Sequence, residues 1–324
     1  MSMLMDPQLE KVLAAMAKSG GPSLDNMSPQ QMRPFYDAIG EKLGGKGRPM
    51  AEVNDLSVPG PAGEIPIRVY RPLGVDSDPQ SGLIYLHGGG WVIGSLDTHD
   101  KVCRRLADTC GCIVVAVDYR LAPEHPFPAG PQDAIAASRW ILDNAEKLGL
   151  DSSSIGIIGD SAGGGLSAVA CLAHREVPGP QLRCQVLIYP GVDNSLEGEQ
   201  RLSRIEQAET PPLGGRAMRT MVSSYLPDPS ACLDWRASPL LASDHSNLPP
   251  ALIITGGFDP LRDEDFAYAN RLATSGVEVL HRHYPGQVHG FIEMGGVLDV
   301  VEDAMQTIAF WFSRCLGPHM NPRV

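Results

Sequence analysis

Residues 159–164 read GDSAGG and place Ser161 in a glycine-framed turn at the end of an apolar run. The first five of these residues fit G-x-S-x-G, a pattern typical of a serine nucleophile held between a strand and a helix. Flanking glycines make room for such a tight bend because they carry no side chain. The same serine could instead cap the N-terminus of the following helix. The five residues alone leave both interpretations open.

A nucleophilic serine needs a base, because a free hydroxyl is a poor nucleophile at neutral pH. In the chain order typical of this motif, an acid and then a histidine follow the serine. The histidines considered as the base are His245, His281, His283, His289 and His319. Loops at the carboxyl ends of parallel strands hold the chemistry of such sheets. His289 lies in such a loop, in PGQVHGF, whereas His281 and His283 share one face of the preceding strand and His319 lies in the tail. His289 is therefore the predicted base.

The acid is expected between the serine and the base, just after another strand. The segment ALIITGGFDPLRDE, residues 251–264, offers Asp259, Asp263 and Glu264. Asp259 comes first, whereas the other two fall in the first turn of a helix, where the helix dipole alone makes acidic residues common. Asp259 is therefore predicted to orient the ring of His289 and to stabilise its protonated form.

A second glycine cluster, HGGGW at residues 87–91, follows the apolar run LIYL. Acyl transfer builds negative charge on a substrate oxygen, which backbone N–H groups can stabilise. We expect these donors among Gly88, Gly89 and Gly90, together with the N–H of Ala162. A phosphate-cradling loop is disfavoured, since neither GxGxxG nor GxxxxGK[ST] occurs at this strand.

Strand and helix patterns alternate from about residue 51 onwards. Short apolar or alternating runs predict strands at IPIRVYRP, GLIYL, CIVVAV, SSIGIIGD, QVLIYP and ALIITGG. Segments with helical period lie between and after them, for example DAIAASRWILDNAEKLG and VLDVVEDAMQTIAFWFSRCL. This alternation predicts an α/β fold with a mostly parallel central sheet flanked by helices.

Two regions break the alternation. Residues 1–45 contain two helical patterns before any strand, the second with Ser28 as its N-cap. Residues 193–237 mix charged residues, TPPLGG and a helical RAMRTMVSSYL. We therefore predict that the α/β domain is formed by residues 46–192 and 238–324, with the two irregular regions added to it.

The overall composition bears on partners and location. The 324 residues carry 26 Lys+Arg against 38 Asp+Glu, a net charge of −12, and a net acidic surface disfavours nucleic acid. The seven cysteines show no zinc-site spacing, so we expect buried thiols and a reducing, cytoplasmic location. The first residues lack a signal-peptide pattern. No apolar run approaches the roughly 20 residues that a membrane span needs.

Five motifs together resemble one family. HGGGW, DYRLAPEHPFPA, GDSAGG, DPLRDE and HGF occur in this order, and from about residue 50 to the last helix the chain is similar to the bacterial hormone-sensitive-lipase family of esterases and lipases. The resemblance implies an α/β-hydrolase fold, with Ser161 as nucleophile, Asp259 as acid and His289 as base. Among the loop glycines it favours Gly89 and Gly90 as oxyanion donors.

The resemblance also suggests roles for the surroundings of the site. It implies that residues 1–45 and 193–237 form a helical cap, whose Met and Leu residues either line an acyl or alcohol pocket or simply fill the core. His87 is expected to orient the glycine loop. Ion pairs are expected to tie the loop DYRLAPEHPFP through Asp118, Arg120 and Glu124. Relatives often dimerise, so a homodimer is possible.

These expectations lead to serine ester hydrolysis through an acyl-enzyme, with short- to medium-chain carboxylic esters as the small-molecule substrates. The chemistry needs no metal or organic cofactor. Hydrolysis of lactones or amides by the same residues is an alternative. A receptor that binds a small ligand without turnover is a further one, because a fold does not by itself prove chemistry. A complete set of serine, acid and base disfavours the receptor.

Overall fold

The computed structural model describes residues 4–18, 20, 24–75 and 79–316. Eight strands of this part of the chain form one sheet: β1 Met50–Gly60, β2 Gly63–Pro72, β3 Gln80–Leu86, β4 Ile113–Val117, β5 Leu150–Asp160, β6 Gln185–Ile188, β7 Ala251–Phe258 and β8 Val279–Val288. Their order is β1-β2-β4-β3-β5-β6-β7-β8. The pairs β1–β2 and β2–β4 are antiparallel and the other pairs are parallel. The prediction of a mostly parallel sheet is confirmed.

The central strands are buried on both faces, which explains their nearly continuous apolar sequences. Successive side chains of a strand point to opposite faces of the sheet. In β3, Ile84 and Leu86 join one hydrophobic cluster, whereas Leu83 and Tyr85 join the other. The sheet therefore separates two cores, and each core must be closed by helices.

Ten α-helices surround the sheet in the described residues. They are α1 Pro7–Lys18, α2 Pro29–Leu43, α3 Asp100–Cys110, α4 Ala129–Asp143, α5 Ala162–His174, α6 Leu196–Glu199, α7 Leu202–Glu206, α8 Gly215–Tyr225, α9 Arg262–Thr274 and α10 Val300–Leu316. Helices α4, α5 and α9 pack into the core that contains Ile84, and α3 and α10 into the core that contains Leu83. Helices thus flank both faces, as predicted.

Two elements of the sheet and its flanking helices lie outside the sequence predictions. Strand β1 pairs only with β2 and exposes most of its side chains, so it lacks a clear apolar pattern. Helix α3 buries one apolar stripe between charged positions and is capped after Cys110 by Gly111, whose φ of 61° favours glycine.

The two regions that break the strand–helix alternation contact each other. We call residues 1–45 the N-terminal region and residues 193–237 the insertion, and both together the cap. Oδ1 of Asp25 in the N-terminal region accepts a hydrogen bond from the N–H of Ala217 in α8, at 2.5 Å. The predicted helix after Ser28 is present as α2, where the side chain of Gln31 accepts from the Ser28 N–H at 2.9 Å.

Five of the seven cysteines are buried, and all seven are free thiols. In the ranges that the structure describes, every helix is too short or too polar to cross a membrane.

Candidate active site

Ser161 lies on a strained turn between β5 and α5. Its φ of 53° and ψ of −121° fall outside the regions that L-residues normally occupy, and such strain is common at functional sites. A Cβ atom on Gly163 would lie 2.0 Å from the Leu86 carbonyl oxygen, and one on Gly159 would lie 2.3 Å from the Gly163 carbonyl oxygen. Both flanking positions require glycine because the turn packs backbone directly against backbone.

Three side chains from separate loops, those of Ser161, His289 and Asp259, are connected in sequence by hydrogen bonds. Oγ of Ser161 lies 2.8 Å from Nε2 of His289, and Nδ1 of His289 lies 2.8 Å from Oδ2 of Asp259. The other oxygen of Asp259, which is fully buried, accepts from the Leu261 N–H at 2.7 Å. The Ser161 side chain makes no hydrogen bond that would cap α5. The interpretation of this serine as a simple helix cap is therefore wrong.

The carboxylate of Asp259 controls the protonation of His289. Burial alone would lower the pKa of His289, but the charge of Asp259, its hydrogen bond and the charges of Asp160 and Glu293 together raise the pKa above its usual value. The arrangement suits a base that takes a proton from Ser161, because the imidazolium that forms already faces a carboxylate.

The other histidines considered as the base are engaged elsewhere. His281 and His283 lie on one face of β8, as predicted, and their ring nitrogens lie 3.1 and 2.8 Å from Oγ1 of Thr255. His245 is buried, with Nε2 2.9 Å from a backbone carbonyl oxygen. His319 lies outside the described residues.

The other two acids hold the insertion. Oδ2 of Asp263 accepts from the N–H of Ser203 at 2.8 Å. Glu264 is fully buried; one oxygen accepts from the backbone N–H groups of residues 192–193 at 2.9 and 3.2 Å. Its other oxygen accepts from the guanidinium of Arg204 at 2.5 and 3.0 Å. The first turn of α9 thus anchors α7, a role that the sequence does not reveal.

The glycine loop after His87 is fixed by Asp160. The Gly88 N–H donates to Oδ1 of Asp160 at 2.9 Å, and a Cβ atom on Gly88 would lie 2.2 Å from Oδ2 of the same carboxylate. Gly88 is therefore not available as an oxyanion donor, which corrects the wider prediction of three glycines. Gly89 and Gly90 have φ of 116° and 59°, conformations that favour glycine.

His87 contacts this loop, as the resemblance implies. Its Nδ1 lies 2.8 Å from the Gly88 carbonyl oxygen, and its ring stacks on Tyr119 with centroids 4.4 Å apart. Burial, together with nearby His99, lowers the pKa of His87 to about 3. His87 is therefore neutral at physiological pH and adds no charge to the loop.

Ion pairs hold the loop DYRLAPEHPFP through two of its three predicted residues, Arg120 and Glu124, with partners outside the loop. Arg120 donates to both oxygens of Asp133 in α4, each at 2.7 Å. Glu124 accepts from Arg33 of α2 at 2.6 and 2.9 Å. Asp118 lies 4.0 Å from Nε2 of His87, and because that ring is neutral the predicted ion pair of Asp118 is not formed with it.

Ser161 and His289 open into a pocket with about 1050 Å³ of empty space, part of it open to solvent. Gly89, Gly90 and Ala162 line the same pocket. The cap supplies most of the apolar wall: Met16, Leu24, Ile39 and Leu43 from the N-terminal region and Pro212, Leu213, Met218, Met221 and Val222 from the insertion. A concave apolar pocket with few polar groups is typical of small-molecule binding.

A buried cluster beside the serine turn brings one imidazole and two carboxylates together. One ring nitrogen of His99 and one carboxylate oxygen each of Asp160 and Glu293 lie within 4.8 Å of one another, and this is the one group of its kind among the residues that the structure describes. The three residues come from distant segments. Only Asp160, inside G-x-S-x-G, gives a local sequence signal.

Comparison with known proteins identifies the family. Residues 83–293 match the family described as the alpha/beta hydrolase fold. The chain belongs to this family. It is 39% identical over 262 residues to the esterase LipI of Mycobacterium tuberculosis, which covers 79% of this chain and 80% of that protein. It is 37% identical over 282 residues to the ethyl acetate hydrolase of Pseudomonas putida, which covers 85% of this chain and 86% of that protein.

Solved structures of this α/β-hydrolase family are similar along nearly the whole chain. An ester hydrolase from the metagenome of Lake Arreo, complexed with a derivative of bipyridine phosphonate, has a TM-score of 0.89 and 42% identity, covering 95% of this chain and 98% of that one. A hyperthermophilic esterase from the archaeon Pyrobaculum calidifontis has a TM-score of 0.90 and 40% identity, covering 97% and 100%. The α/β-hydrolase fold implied by the sequence motifs is confirmed.

Proposed function

We propose that this chain hydrolyses short- to medium-chain carboxylic esters through an acyl-enzyme on Ser161. Relatives named esterase and carboxylesterase support a carboxylic ester hydrolase of the α/β-hydrolase family. The observation that carries the proposal is the row from Ser161 through His289 to Asp259, beside an apolar pocket. A serine hydroxyl within hydrogen-bond reach of a base, which a third group orients, has the arrangement of an activated nucleophile.

In the first half-reaction, Oγ of Ser161 attacks the ester carbonyl carbon and Nε2 of His289 takes the hydroxyl proton. Asp259 keeps Nδ1–H of the ring in place and stabilises the imidazolium. The tetrahedral intermediate then collapses, its bond to the alcohol oxygen breaks, and His289 gives its proton to the leaving alcohol. The acyl group stays bound to Ser161.

The second half-reaction repeats these steps with water. His289 takes a proton from a water molecule, whose oxygen attacks the acyl carbon. The bond to Oγ then breaks, Ser161 recovers its proton, and the carboxylic acid leaves. The same histidine thus serves as base and then as acid in each half.

The oxyanion of both tetrahedral intermediates needs hydrogen-bond donors. We assign this role to the N–H groups of Ala162, Gly89 and Gly90, because all three residues line the pocket beside the serine. Their backbone is fixed before substrate binds, so little reorganisation is needed when the charge forms.

The pocket supports an ester of modest size. Methionine and leucine side chains of the cap line it, and methionine side chains adapt easily to ligands of different shape. The binding free energy of an acyl chain buried there becomes more favourable with each added methylene until the pocket is filled. This argument favours neutral esters with short or medium chains over charged substrates.

Replacing Ser161 with alanine tests the proposal. We expect hydrolysis of a short p-nitrophenyl ester to fall by about 10⁵–10⁶-fold, because the nucleophile is lost. Ser138→Ala is a matched control: Ser138 is buried and bonds to the Ala134 carbonyl oxygen in α4, so its activity should stay within about threefold. Undiminished hydrolysis by folded Ser161→Ala would overturn the proposal, and faster cleavage of a matched amide than of the ester would replace the substrate class.

A further inference from the structure

Asp160 connects the serine turn with the glycine loop. It directly precedes Ser161, is fully buried, and its Oδ1 accepts from the Gly88 N–H at 2.9 Å and from the Tyr85 hydroxyl at 2.6 Å. The carboxylate also fills the space that a side chain at position 88 would occupy. Any displacement of this carboxylate therefore moves the peptide that leads into the two proposed donor glycines.

The carboxylate brings negative charge close to the place where the oxyanion forms. A buried carboxylate without an opposite charge is strongly unfavourable, and its field would also oppose the charge that develops on the substrate. Oδ2 of Asp160 accepts no hydrogen bond in the described residues. The ring nitrogen Nε2 of His99 lies 3.5 Å from it. A protonated His99 would neutralise Asp160.

His99 is held between two carboxylates. Its ring is 1% exposed, Nδ1 lies 2.8 Å from Oγ1 of Thr98, and Nε2 faces both Asp160 and Oε2 of Glu293, the latter at 3.9 Å. Burial alone would lower the pKa of His99, but the two carboxylates outweigh it and the pKa is raised. Burial also opposes the ionised form of Asp160, yet His99 keeps the pKa of that carboxyl below its usual value.

Glu293 extends this cluster to the cap. It lies in the loop after β8, four residues beyond His289. Its Oε2 accepts a hydrogen bond from the hydroxyl of Tyr36 in α2, at 2.6 Å. Both Tyr36 and Glu293 line the pocket. One hydroxyl of the N-terminal region therefore joins the groups that lie behind the serine.

We propose that His99 is a positioning residue for the oxyanion hole. As an imidazolium it neutralises Asp160 and keeps that carboxylate on the Gly88 amide. Through Glu293 and Tyr36, the position of the N-terminal region adjusts the same glycine loop. His99 acts through Asp160 rather than on the substrate, and the inference rests on the proposed function because it concerns the transition state of that reaction.

The first test replaces His99 with glutamine, which keeps polarity and removes the positive charge. We expect kcat/KM for a short p-nitrophenyl ester to fall by about 10–100-fold through kcat, which is less than the loss of a whole oxyanion donor. KM should change by less than about threefold, because ground-state binding is not affected. The inhibition constant of a trifluoromethyl ketone should rise in parallel, because its hemiketal oxyanion occupies the same hole.

His174→Gln is the matched control, because His174 is equally buried and bonds to Ser138, on α4. Its kcat/KM should stay within about threefold of the parent. If His99→Gln leaves kcat/KM unchanged, or lowers it without weakening the ketone, the positioning role is wrong. The Ser161→Ala result is independent of this outcome, so a failure of the inference and a failure of the proposed function can be distinguished.

A second variant tests whether charge is the cause. Asp160→Asn keeps an oxygen that can accept from Gly88 and Tyr85 but removes the negative charge. In combination with His99→Gln it should recover about tenfold of the lost kcat/KM, because the side chain that holds the Gly88 amide then carries no charge that needs a partner. If the two losses simply multiply, His99 does not act by neutralising Asp160.

Tyr36→Phe tests the connection to the cap and stays informative if His99→Gln does not fold. It removes one partly buried hydroxyl, so we expect a folded protein whose kcat/KM is about two- to fivefold lower. The inhibition constant of the ketone should rise by the same factor. An unchanged constant in the folded variant would overturn the link between Tyr36 and the oxyanion hole.

Discussion

The serine turn and the glycine loop are built differently from the cap above them. In the turn, backbone packs against backbone: a side chain on Gly163 would meet the Leu86 carbonyl oxygen at 2.0 Å. In the cap, methionine and leucine side chains from helices and loops form much of the wall of the pocket. The two parts meet where Met221 packs on Gly90, whose Cβ atom would lie 2.3 Å from Sδ of that methionine.

This difference separates chemistry from substrate choice. Backbone-to-backbone contacts leave almost no alternative arrangement, so we expect the proposed oxyanion donors and the serine to keep their positions before substrate binds. Side-chain packing tolerates exchange among residues of similar size. We therefore expect substitutions in the turn and loops to change the rate of every ester, and substitutions in the cap to change the ranking of esters.

The largest effect is expected for the base itself. His289→Ala should lower kcat/KM by about 10⁴-fold or more, because Ser161 then loses its proton acceptor. His283→Ala is the matched control. His283 lies on β8, the strand that precedes His289, and it hydrogen-bonds only to Thr255 among the described groups. The kcat/KM of this variant should therefore stay within about threefold of the parent. Steady-state kinetics on one short ester decides between them; equal losses in both variants would contradict the assignment of the base.

The next effect concerns the anchor between the cap and the sheet. Glu264→Gln leaves Arg204 buried beside a neutral side chain, so the free energy of unfolding should fall by about 3 kcal/mol. Glu124→Gln is the matched control, because its pair with Arg33 is 48% and 32% exposed and contributes less than about 1 kcal/mol. Urea unfolding measures both. Equal losses would mean that the buried anchor has no special weight.

The pH dependence of kcat/KM compares the hydrogen-bonded residues of the site with the cap. His289 must be neutral to accept a proton, so kcat/KM should fall as pH decreases through its raised pKa, and the midpoint should lie above that of an unperturbed histidine. Asp259→Asn should move this midpoint to lower pH, since the carboxylate raises the pKa, while activity falls steeply. A cap variant such as Met218→Ala should leave the midpoint in place. A shift of the pH midpoint in Met218→Ala would contradict the separation between residues that control the chemistry and residues that select the substrate.

The smallest effect is expected in the cap wall. Met218→Ala enlarges the pocket, so the ratio of kcat/KM for hexanoate over acetate esters should change by about two- to tenfold. Arg219→Ala, an exposed neighbour on α8, should leave this ratio unchanged. A panel of p-nitrophenyl esters from acetate to palmitate measures the ratio. A uniform loss for all esters in Met218→Ala would show that this wall also controls the chemistry.

The residues at the ends of the parallel strands could be predicted from the sequence. Ser161, Asp259 and His289 each follow a strand within a short motif, and the turn needs glycine at defined positions. Local chemistry therefore leaves local signals. The other two candidate acids, Asp263 and Glu264, fit the helix-dipole rule for the first turn of α9. That rule does not predict which groups Glu264 binds.

Contacts that depend on distant segments could not be predicted. Gly88 differs from its neighbouring glycines only because Asp160, far along the chain, occupies the space beside it. His99 and Glu293 meet Asp160 from two further segments. Strand β1 could not be predicted because its exposed position at the edge of the sheet removes the apolar pattern that identifies buried strands.

The ion pair between Glu264 and Arg204 restricts how the insertion can be exchanged. Glu264 lies five residues after Asp259 and binds both the peptide N–H groups of residues 192–193, where the insertion begins, and Arg204 within the insertion. An insertion transplanted from a relative must therefore carry an arginine that reaches the carboxylate of Glu264. Without that arginine, an unpaired buried charge remains close to the loop that carries Asp259. Exchanging the insertion to change the substrate therefore requires this ion pair to be kept.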